Sequence, residues 1–212
     1  MRPVWRVLRW CCQAVCLLLC RVRVHHIKRV PVSGGLLIVS NHQSFLDPVL
    51  LTMAPSREFH YMARDTLFRG GPFDRLIRYL NAYPVRRGEA DLTAMKETLR
   101  RLKNDALVTV FPEATRTLDG SIAPMRPGVV LLAKKAKAPI VPTLILGAFE
   151  AWPRQAKLPH PKPILIAYDP PILPEQMRET PDDETIATVR DRLEALRTRY
   201  VGHPMFGART QG

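Results

Sequence analysis

His42 and Asp47 lie five positions apart and are the first pair of side chains in this sequence that could do chemistry. A histidine whose one ring nitrogen is held by a carboxylate can use the other nitrogen as a general base. In a single helix the two side chains would point about 140° apart. They can therefore meet only if His42 lies in a loop and Asp47 in the first helical turn, with Ser44 as the helix cap and Asp47 as the third helical residue. The alternative is that Asp47 only caps the helix and His42 is an ordinary loop residue.

Residues 111–117, with the sequence FPEATRT, carry a second set of polar side chains. Arg116 offers a fork of donors suited to phosphate, and Thr115 and Thr117 add hydroxyls. Glu113 could hold an arginine or accept a hydrogen bond from a substrate hydroxyl. The alternative is a surface turn that contains an Arg–Glu pair.

Two further segments follow apolar runs. Residues 83–88 include the adjacent arginines Arg86 and Arg87, of which one is expected to enter a site because neighbouring side chains point to different sides. Residues 139–142, PIVP, carry no reactive group and are expected to form a pocket wall. In folds built on a parallel sheet, ligands bind at the carboxyl ends of the strands. The polar segments that follow strands are therefore predicted to share one edge of a sheet.

The elements that must position these segments alternate between strand and helix patterns. This order predicts an α/β fold with a mixed, largely parallel sheet flanked by helices. The folded domain is predicted over residues 31–202, and residues 203–212 are predicted to form a frayed tail. Strands are predicted at 21–30, 36–39, 59–62, 82–85, 107–111, 140–146 and 164–168, helices at 44–53, 72–80, 89–103, 128–137 and 181–200, and an exposed loop at 152–163.

Residues 1–30 contain seven lysines or arginines, and no acidic residue precedes Asp47. Arg2, Arg6, Arg9 and Gln13 recur at helical spacing and form one polar stripe. The apolar run at 10–20 is shorter than the ~20 residues of a bilayer span, and no small-x-small cleavage site follows it. We expect an amphipathic helix that lies in the head-group layer with its arginines on anionic lipid. The alternative is a helix that packs on the protein's own core.

Composition limits the partners and the compartment. The net charge of +13 favours anionic partners, and a hydrophobic content of 46% allows a real core. The apolar side chains around the N-terminal arginines favour a membrane surface over nucleic acid. All four cysteines, at 11, 12, 16 and 20, lie in the first helix, so a disulfide framework is not expected and a reducing, cytoplasmic location fits.

Taken in order, these segments resemble the motifs of the glycerolipid acyltransferase family, whose members include 1-acylglycerol-3-phosphate acyltransferases. The family pattern Asn-His-x-Ser-x-x-Asp matches residues 41–47, and Phe-Pro-Glu-Gly-Thr-Arg-Ser matches residues 111–117. Residues 81–87 correspond to Gly-x-x-Pro-Val-Asp-Arg, and the last motif, a strand rich in Val and Pro, falls near residues 141–142.

The resemblance implies transfer of a fatty acyl group from an acyl thioester, on coenzyme A or acyl carrier protein, to the free hydroxyl of 1-acylglycerol-3-phosphate. The product would be phosphatidic acid, made at the cytoplasmic face of the cell membrane without a metal or other cofactor and without nucleic acid. His42 would deprotonate the hydroxyl and Asp47 would orient it. The residues expected on the substrate are Asn41, Ser44, Arg64, Arg87, Glu113, Thr115 and Arg116.

Three residues depart from the family pattern, namely Asn81 and Ala114 in place of glycines and Arg86 in place of an acid. If the glycine at 114 has a positive φ, alanine there implies a strained loop. These departures keep open an acyltransferase for another acceptor, such as a lyso-ornithine lipid. A non-enzymatic alternative is a basic peripheral protein that binds anionic lipid or nucleic acid through charge alone.

Overall fold

The structure, a computed structural model, describes residues 3–86 and 91–206. The strands are β1 Arg23–His25, β2 Leu36–Ser40, β3 Phe59–Arg64, β4 Ala82–Val85, β5 Leu107–Val110, β6 Ile140–Leu146 and β7 Leu165–Tyr168. The helices are α1 Pro3–Cys20, α2 Asp47–Leu51, α3 Gly71–Tyr79, α4 Leu92–Lys103, α5 Gly128–Ala136, α6 Ala148–Ala151, α7 Pro174–Met177 and α8 Asp182–Val201. Short 3₁₀ turns lie at Ile27–Arg29, Asp65–Leu67 and Pro204–Phe206.

The strands form one sheet in the order β1-β7-β6-β2-β5-β3-β4. The strands from β6 to β4 in this order run parallel to one another. β7 pairs antiparallel with β6, and β1 runs parallel to β7. The predicted mixed, largely parallel sheet is confirmed.

β2 lies at the centre of the sheet and is buried along its whole length. Its side chains alternate between two cores, as strand geometry requires. Leu36 and Ile38 face a core that includes residues of α1 and α2. Leu37 and Val39 face a second core that includes residues of α4, α5, α7 and α8. The apolar run that predicted this strand therefore reflects burial on both faces.

The parallel order brings the carboxyl ends of β2, β5, β3 and β4 to one edge of the sheet, in that sequence. The segment 41–47 follows β2, and the segment 111–117 follows β5. Arg64 ends β3, and Arg86 follows β4. The predicted meeting of the polar segments at one edge is thus confirmed.

The prediction that Ser44 caps the second helix is wrong. α2 begins at Asp47, so Asp47 is the first helical residue instead of the third, and the preceding Leu46 makes no side-chain cap. Pro48 lies in the first turn, where its missing N–H costs nothing, and sets the start of the helix. The Asp47 carboxylate also accepts the backbone N–H groups of the residues before it, which holds those residues in a loop.

Two predicted segments are shorter than expected. The strand at 21–30 reduces to β1, because His26 has a φ of 60° and leaves the extended conformation. α4 begins at Leu92, where Asp91 caps it by accepting the N–H of Ala94 at 3.0 Å. Residues 89–90, where this helix was predicted to begin, lie outside the described part of the chain.

The predicted frayed tail is wrong for its first part. Residues 204–206 form a 3₁₀ turn, and Met205 and Phe206 pack against a core that contains Leu193 and Leu196 of α8. Residues 207–212 lie outside the described residues. The loop at 152–163 forms no regular element, as predicted, and the four-residue helices α6 and α7 were not predicted.

α1 forms at the N-terminus and packs on the sheet through Trp5 and Cys20, which are buried. Arg9 and Gln13 donate to the carbonyl oxygen of Met53, at 3.3 and 2.5 Å. Half of the predicted polar stripe therefore contacts the protein itself, as in the alternative of a helix that packs on the core; Arg2 lies outside the described residues. Among the residues that the structure describes, no helix combines the length and apolarity needed to cross a membrane.

Candidate active site

His42 and Asp47 form a hydrogen-bonded pair in the loop that follows β2. Nδ1 of His42 lies 2.8 Å from Oδ2 of Asp47, which is fully buried. The same oxygen accepts the backbone N–H groups of Gln43 at 2.6 Å and Ser44 at 2.8 Å. A carboxylate held by three donors accepts only, so Nδ1 carries its proton toward Asp47 and Nε2 has the free lone pair of a base. His42 lies off the helix that Asp47 begins, as predicted.

The segment 111–117 holds His42 from two sides. The ring of Phe111 stacks on the imidazole, with centroids 4.2 Å apart and planes at 19°. The backbone N–H of His42 donates to Oε1 of Glu113 at 2.8 Å, and its carbonyl accepts the N–H of Thr117 at 2.9 Å. These contacts fix both the plane and the position of the imidazole.

Glu113 lies beneath this loop and is almost completely buried. Its second oxygen, Oε2, accepts the N–H of Ala123 at 3.1 Å. Burial raises the pKa of Glu113 to about 7, although the two backbone N–H groups act to lower it. Each carboxylate oxygen of Glu113 thus accepts a backbone N–H, and its predicted contact with Arg116 or a substrate hydroxyl stays a prediction.

Asn41 and Ser44 were predicted to contact substrate, yet both side chains are fully buried. The Asn41 amide donates to the carbonyl of Ile145 and accepts the N–H of the same residue, each at 2.8 Å. The Ser44 hydroxyl donates to the carbonyl of Trp152 at 2.9 Å and accepts the N–H of Leu46 at 3.2 Å. The structure therefore gives both side chains a role in fixing the loop around His42.

Arg116 lies above the ring of Phe45, with its guanidinium carbon 3.4 Å from the ring centroid. This contact joins the loop after β5 to the loop after β2, and it orients the planar guanidinium. Thr115 is exposed, and its hydroxyl accepts a hydrogen bond from Arg154 at 3.3 Å.

Arg64 and Arg86 lie toward β4, at the edge of the sheet. Arg64 is exposed at the end of β3. Arg86 is exposed, and its guanidinium lies 3.9 Å from the carboxylate of Asp91, which also accepts its backbone N–H at 2.9 Å. Arg87 lies outside the described residues.

Two of the three departures from the family pattern serve the backbone. Ala114 has a φ of 61° and Asn81 a φ of 67°, the left-handed region that glycine favours. The strained loop expected at 114 is confirmed. Asn81 precedes β4 and therefore lies at the amino edge of the sheet, away from His42. Only Arg86 changes the charge near the predicted site.

A cavity of about 560 Å³ lies at the amino edge of the sheet, between the starts of β3 and β5. It is lined in part by Arg57 and Arg101. Arg57 donates to the carbonyl oxygens of Pro31, Gly34 and Asp105, and Arg101 donates to Glu97 and to the carbonyl of Asn81. This cavity is not the candidate active site, because the His42–Asp47 pair lies at the opposite edge of the sheet.

Sequence reasoning missed three residues of the site, Gln43, Phe45 and Phe111. Gln43 ties the loop to Gly120 and Phe149 through its side-chain amide. Phe45 and Phe111 stack on Arg116 and His42, respectively. All three residues lie inside the motif segments of the sequence. A contact between a ring in one loop and a side chain in another cannot be predicted from the residue spacing within either loop.

Known proteins resemble this chain in sequence and in fold. The family model for acyltransferases matches residues 21–146. The 1-acyl-sn-glycerol-3-phosphate acyltransferase of Bacillus subtilis is 29% identical over 127 residues, which cover 59% of this chain and 63% of that protein. The human 1-acyl-sn-glycerol-3-phosphate acyltransferase alpha is 30% identical over 177 residues, which cover 82% of this chain and 61% of that protein. The chain thus spans less than two thirds of the length of these relatives.

The crystal structure of the 1-acyl-sn-glycerophosphate acyltransferase PlsC from Thermotoga maritima shares the fold, with a TM-score of 0.80 over 93% of this chain and 81% of that one. Its sequence identity is 24%, so this likeness concerns the fold. The family match covers the segments that carry His42, Asp47, Glu113 and Arg116. The chain belongs to the acyltransferase family.

Proposed function

We propose that this protein transfers a fatty acyl group from an acyl thioester to the free hydroxyl of 1-acylglycerol-3-phosphate and so makes phosphatidic acid. The observation that carries the proposal is the His42–Asp47 pair, held at the sheet edge where Arg116 also lies. The pair supplies a base, and the arginine supplies a partner for the acceptor phosphate. The names of the relatives support this choice of acceptor.

In the proposed reaction, Nε2 of His42 takes the hydroxyl proton as the acceptor oxygen attacks the thioester carbonyl carbon. The C–O bond forms, and the carbonyl oxygen becomes an oxyanion. When the oxyanion collapses, the C–S bond breaks and the leaving thiolate takes the proton from the imidazolium. Asp47 stabilises that imidazolium through Nδ1, and a base of this kind contributes roughly 10²–10⁴ in rate.

The acceptor phosphate is proposed to bind Arg116, with Arg64 and Arg87 as further contacts. The Phe45 ring lies against one face of the Arg116 guanidinium, and a guanidinium fork can bind two phosphate oxygens. The polar groups of Thr115 and Glu113 accept hydrogen bonds from the protein, and we assign the phosphate to the arginines, whose charge is opposite to its own.

We further propose that α1 holds the protein at the cytoplasmic face of the membrane, where the acceptor resides. Val7, Trp10 and Cys11 are exposed and lie on one side of the helix, at spacings of three and four residues. An exposed tryptophan on a basic helix is typical of a segment that lies in the head-group layer. Lipid would thus contact this side and not the stripe of Arg9 and Gln13.

A thiol-release assay tests the reaction. Acyl-coenzyme A and acyl carrier protein would be offered as donors, with lysophosphatidic acid or lyso-ornithine lipid as acceptor, and the product identified by mass spectrometry. We expect thiol release that depends on lysophosphatidic acid and yields phosphatidic acid. His42→Ala should abolish it, whereas His160→Ala, at an exposed histidine, should not. Turnover with lyso-ornithine lipid alone, or a fully active His42→Ala protein, would overturn the proposal.

Substitution of Arg116 tests the phosphate contact. Because a hydrogen bond to a charged group contributes about 1.5–3 kcal/mol, Arg116→Ala should raise KM for lysophosphatidic acid roughly 10–100-fold. Arg116→Lys should recover only part of the loss, since an ammonium group lacks the planar fork. Arg199→Ala, at an exposed arginine of α8, is the matched control. An unchanged KM in Arg116→Ala would remove Arg116 from the acceptor site.

A further inference from the structure

α3 exposes its apolar side and buries a charged residue. Phe73 and Leu76 are 57% and 43% exposed, and Tyr79 is also exposed. Within this helix the buried residue is Asp74, at 8% exposure. A helix on the surface of a globular protein normally turns its apolar stripe to the core. The orientation of α3 is the reverse.

The polar side of α3 makes contacts within the helix and with the segment before it. The Asp74 carboxylate accepts the N–H of Gly70 at 2.8 Å and Nε of Arg78 at 2.5 Å. The guanidinium of Arg78 in turn lies over the ring of Phe68, 4.7 Å from its centroid. The Asp74–Arg78 pair lies within α3, and the contacts with Gly70 and Phe68 join its polar side to the segment that precedes the helix.

Leu67 is also exposed and extends the apolar surface, so we define the α3 face as Leu67, Phe73, Leu76 and Tyr79. Arginines surround this face: Arg69, Arg75 and Arg78 are exposed. The face begins just after the carboxyl end of β3, because the 3₁₀ turn that contains Leu67 follows that strand directly. That end of β3 lies at the same sheet edge as the His42 loop.

We propose that the α3 face docks on a bilayer that contains anionic lipid, with its apolar side chains among the head groups and its arginines on lipid phosphates. Aromatic and aliphatic side chains flanked by arginines are the composition of an interfacial helix. This proposal deepens the proposed function, since the acceptor of that reaction lies in the bilayer. It adds a second contact to the one proposed for α1 and brings the sheet edge of His42 to the lipid surface.

Sedimentation with vesicles tests the proposal without donor or acceptor, so the result does not depend on turnover. Vesicles of phosphatidylcholine and phosphatidylglycerol would be mixed with the full chain and its variants. Phe73→Ser/Leu76→Ser should lower the partition coefficient on the order of tenfold or more, because two apolar side chains no longer enter the interface. Arg69→Gln/Arg75→Gln should weaken binding to these vesicles but not to vesicles of phosphatidylcholine alone.

A double substitution at the opposite edge of the sheet is the matched control. Val32, which is 89% exposed, precedes β2, and the exposed Leu173 lies near the start of β6. Val32→Ser/Leu173→Ser removes the same kind of side chain and should leave the partition coefficient unchanged. Circular dichroism of each variant would show that its helix content is that of the parent.

An unchanged partition coefficient in Phe73→Ser/Leu76→Ser would overturn the proposal. If that variant instead lost self-association in sedimentation velocity, the face would bind a second copy of the chain. If it lost turnover with acyl carrier protein but kept turnover with acyl-coenzyme A, the face would bind the acidic carrier. Either of these results, with vesicle binding unchanged, also counts against the membrane.

Discussion

Oε1 of Glu113 accepts the backbone N–H of His42 at 2.8 Å, so a carboxylate that follows β5 positions the imidazole that follows β2. The other oxygen of Glu113 accepts the N–H of Ala123 at 3.1 Å. The carboxylate thus joins three segments of the chain beneath the His42–Asp47 pair. Glu113 thus positions His42 through the backbone of that residue.

Replacing Glu113 by glutamine should lower kcat and leave KM for the acceptor nearly unchanged. The amide NH₂ would face a backbone N–H of either His42 or Ala123, and an unsatisfied buried donor costs about 1–3 kcal/mol. Steady-state kinetics would separate kcat from KM. A large rise in KM with normal kcat would instead indicate that Glu113 contacts the acceptor.

Glu113 should also make the stability of the protein depend on pH. Its pKa is about 7 in the folded protein and near 4.5 when the chain is unfolded, so between these values the folded state binds more protons. The stabilisation is complete below pH 4.5 and is lost as the pH rises through about 7. The free energy of unfolding of the parent, relative to Glu113→Gln, should therefore be roughly 1–3 kcal/mol greater at pH 5 than at pH 8. Urea denaturation of both proteins at both pH values measures these free energies of unfolding. If parent and variant differed by the same amount at pH 5 and pH 8, the raised pKa of Glu113 would be contradicted.

Asp47→Asn should reduce kcat roughly 10²–10⁴-fold with little change in the free energy of unfolding. Oδ1 of Asp47 is buried without a hydrogen-bond partner among the described residues, so an amide NH₂ can take its place. The amide oxygen can then accept the same three N–H groups, while the charge that stabilises the imidazolium is lost. Asp191→Asn, at an exposed residue of α8, is the control. Wild-type kcat in Asp47→Asn would show that the charge is not needed.

Asn41→Asp should destabilise the fold by about 2–5 kcal/mol, because a carboxylate can accept the N–H of Ile145 but cannot donate to its carbonyl. The variant would place a buried charge beside a carbonyl oxygen. Thermal unfolding measures the loss, and KM of the remaining folded enzyme should stay close to that of the parent. A change in KM without a change in stability would indicate that Asn41 contacts the substrate.

Ala114→Gly should stabilise the protein by about 0.5–1 kcal/mol. Glycine adopts the φ of 61° without a clash, and this gain exceeds the cost of the greater freedom of glycine in the unfolded chain. Ala195→Gly, in the exposed surface of α8, should have the opposite sign and cost about 1 kcal/mol. Urea denaturation of both variants gives the comparison. A destabilised Ala114→Gly protein would mean that the alanine methyl group makes contacts that outweigh the strain.

Local patterns in the sequence were sufficient for much of the fold. The apolar run of β2 and the helical spacing of α4 lie within the segments that form these elements, so short stretches of sequence specify them. The order of strands and helices indicated the parallel edge that carries His42. Ser44 was assigned wrongly, because its hydroxyl accepts the N–H of Leu46 and donates to Trp152 of a distant loop instead of capping α2.

The sequence by itself determined the family and the pairing of His42 with Asp47, since the types and spacing of the motif residues specify them. Only the tertiary structure decided what each polar side chain contacts. The sequence predicted substrate contacts for Glu113 and Asn41 and a lipid contact for Arg9. In the structure, these side chains bind backbone groups of segments distant in the chain. The tertiary structure also decided the orientation of α3. Its residue spacing predicts an apolar side, but not whether that side faces the core or the solvent. In the folded protein Asp74 is buried and Phe73 and Leu76 are exposed, and burial of this kind is decided by the packing of the whole fold.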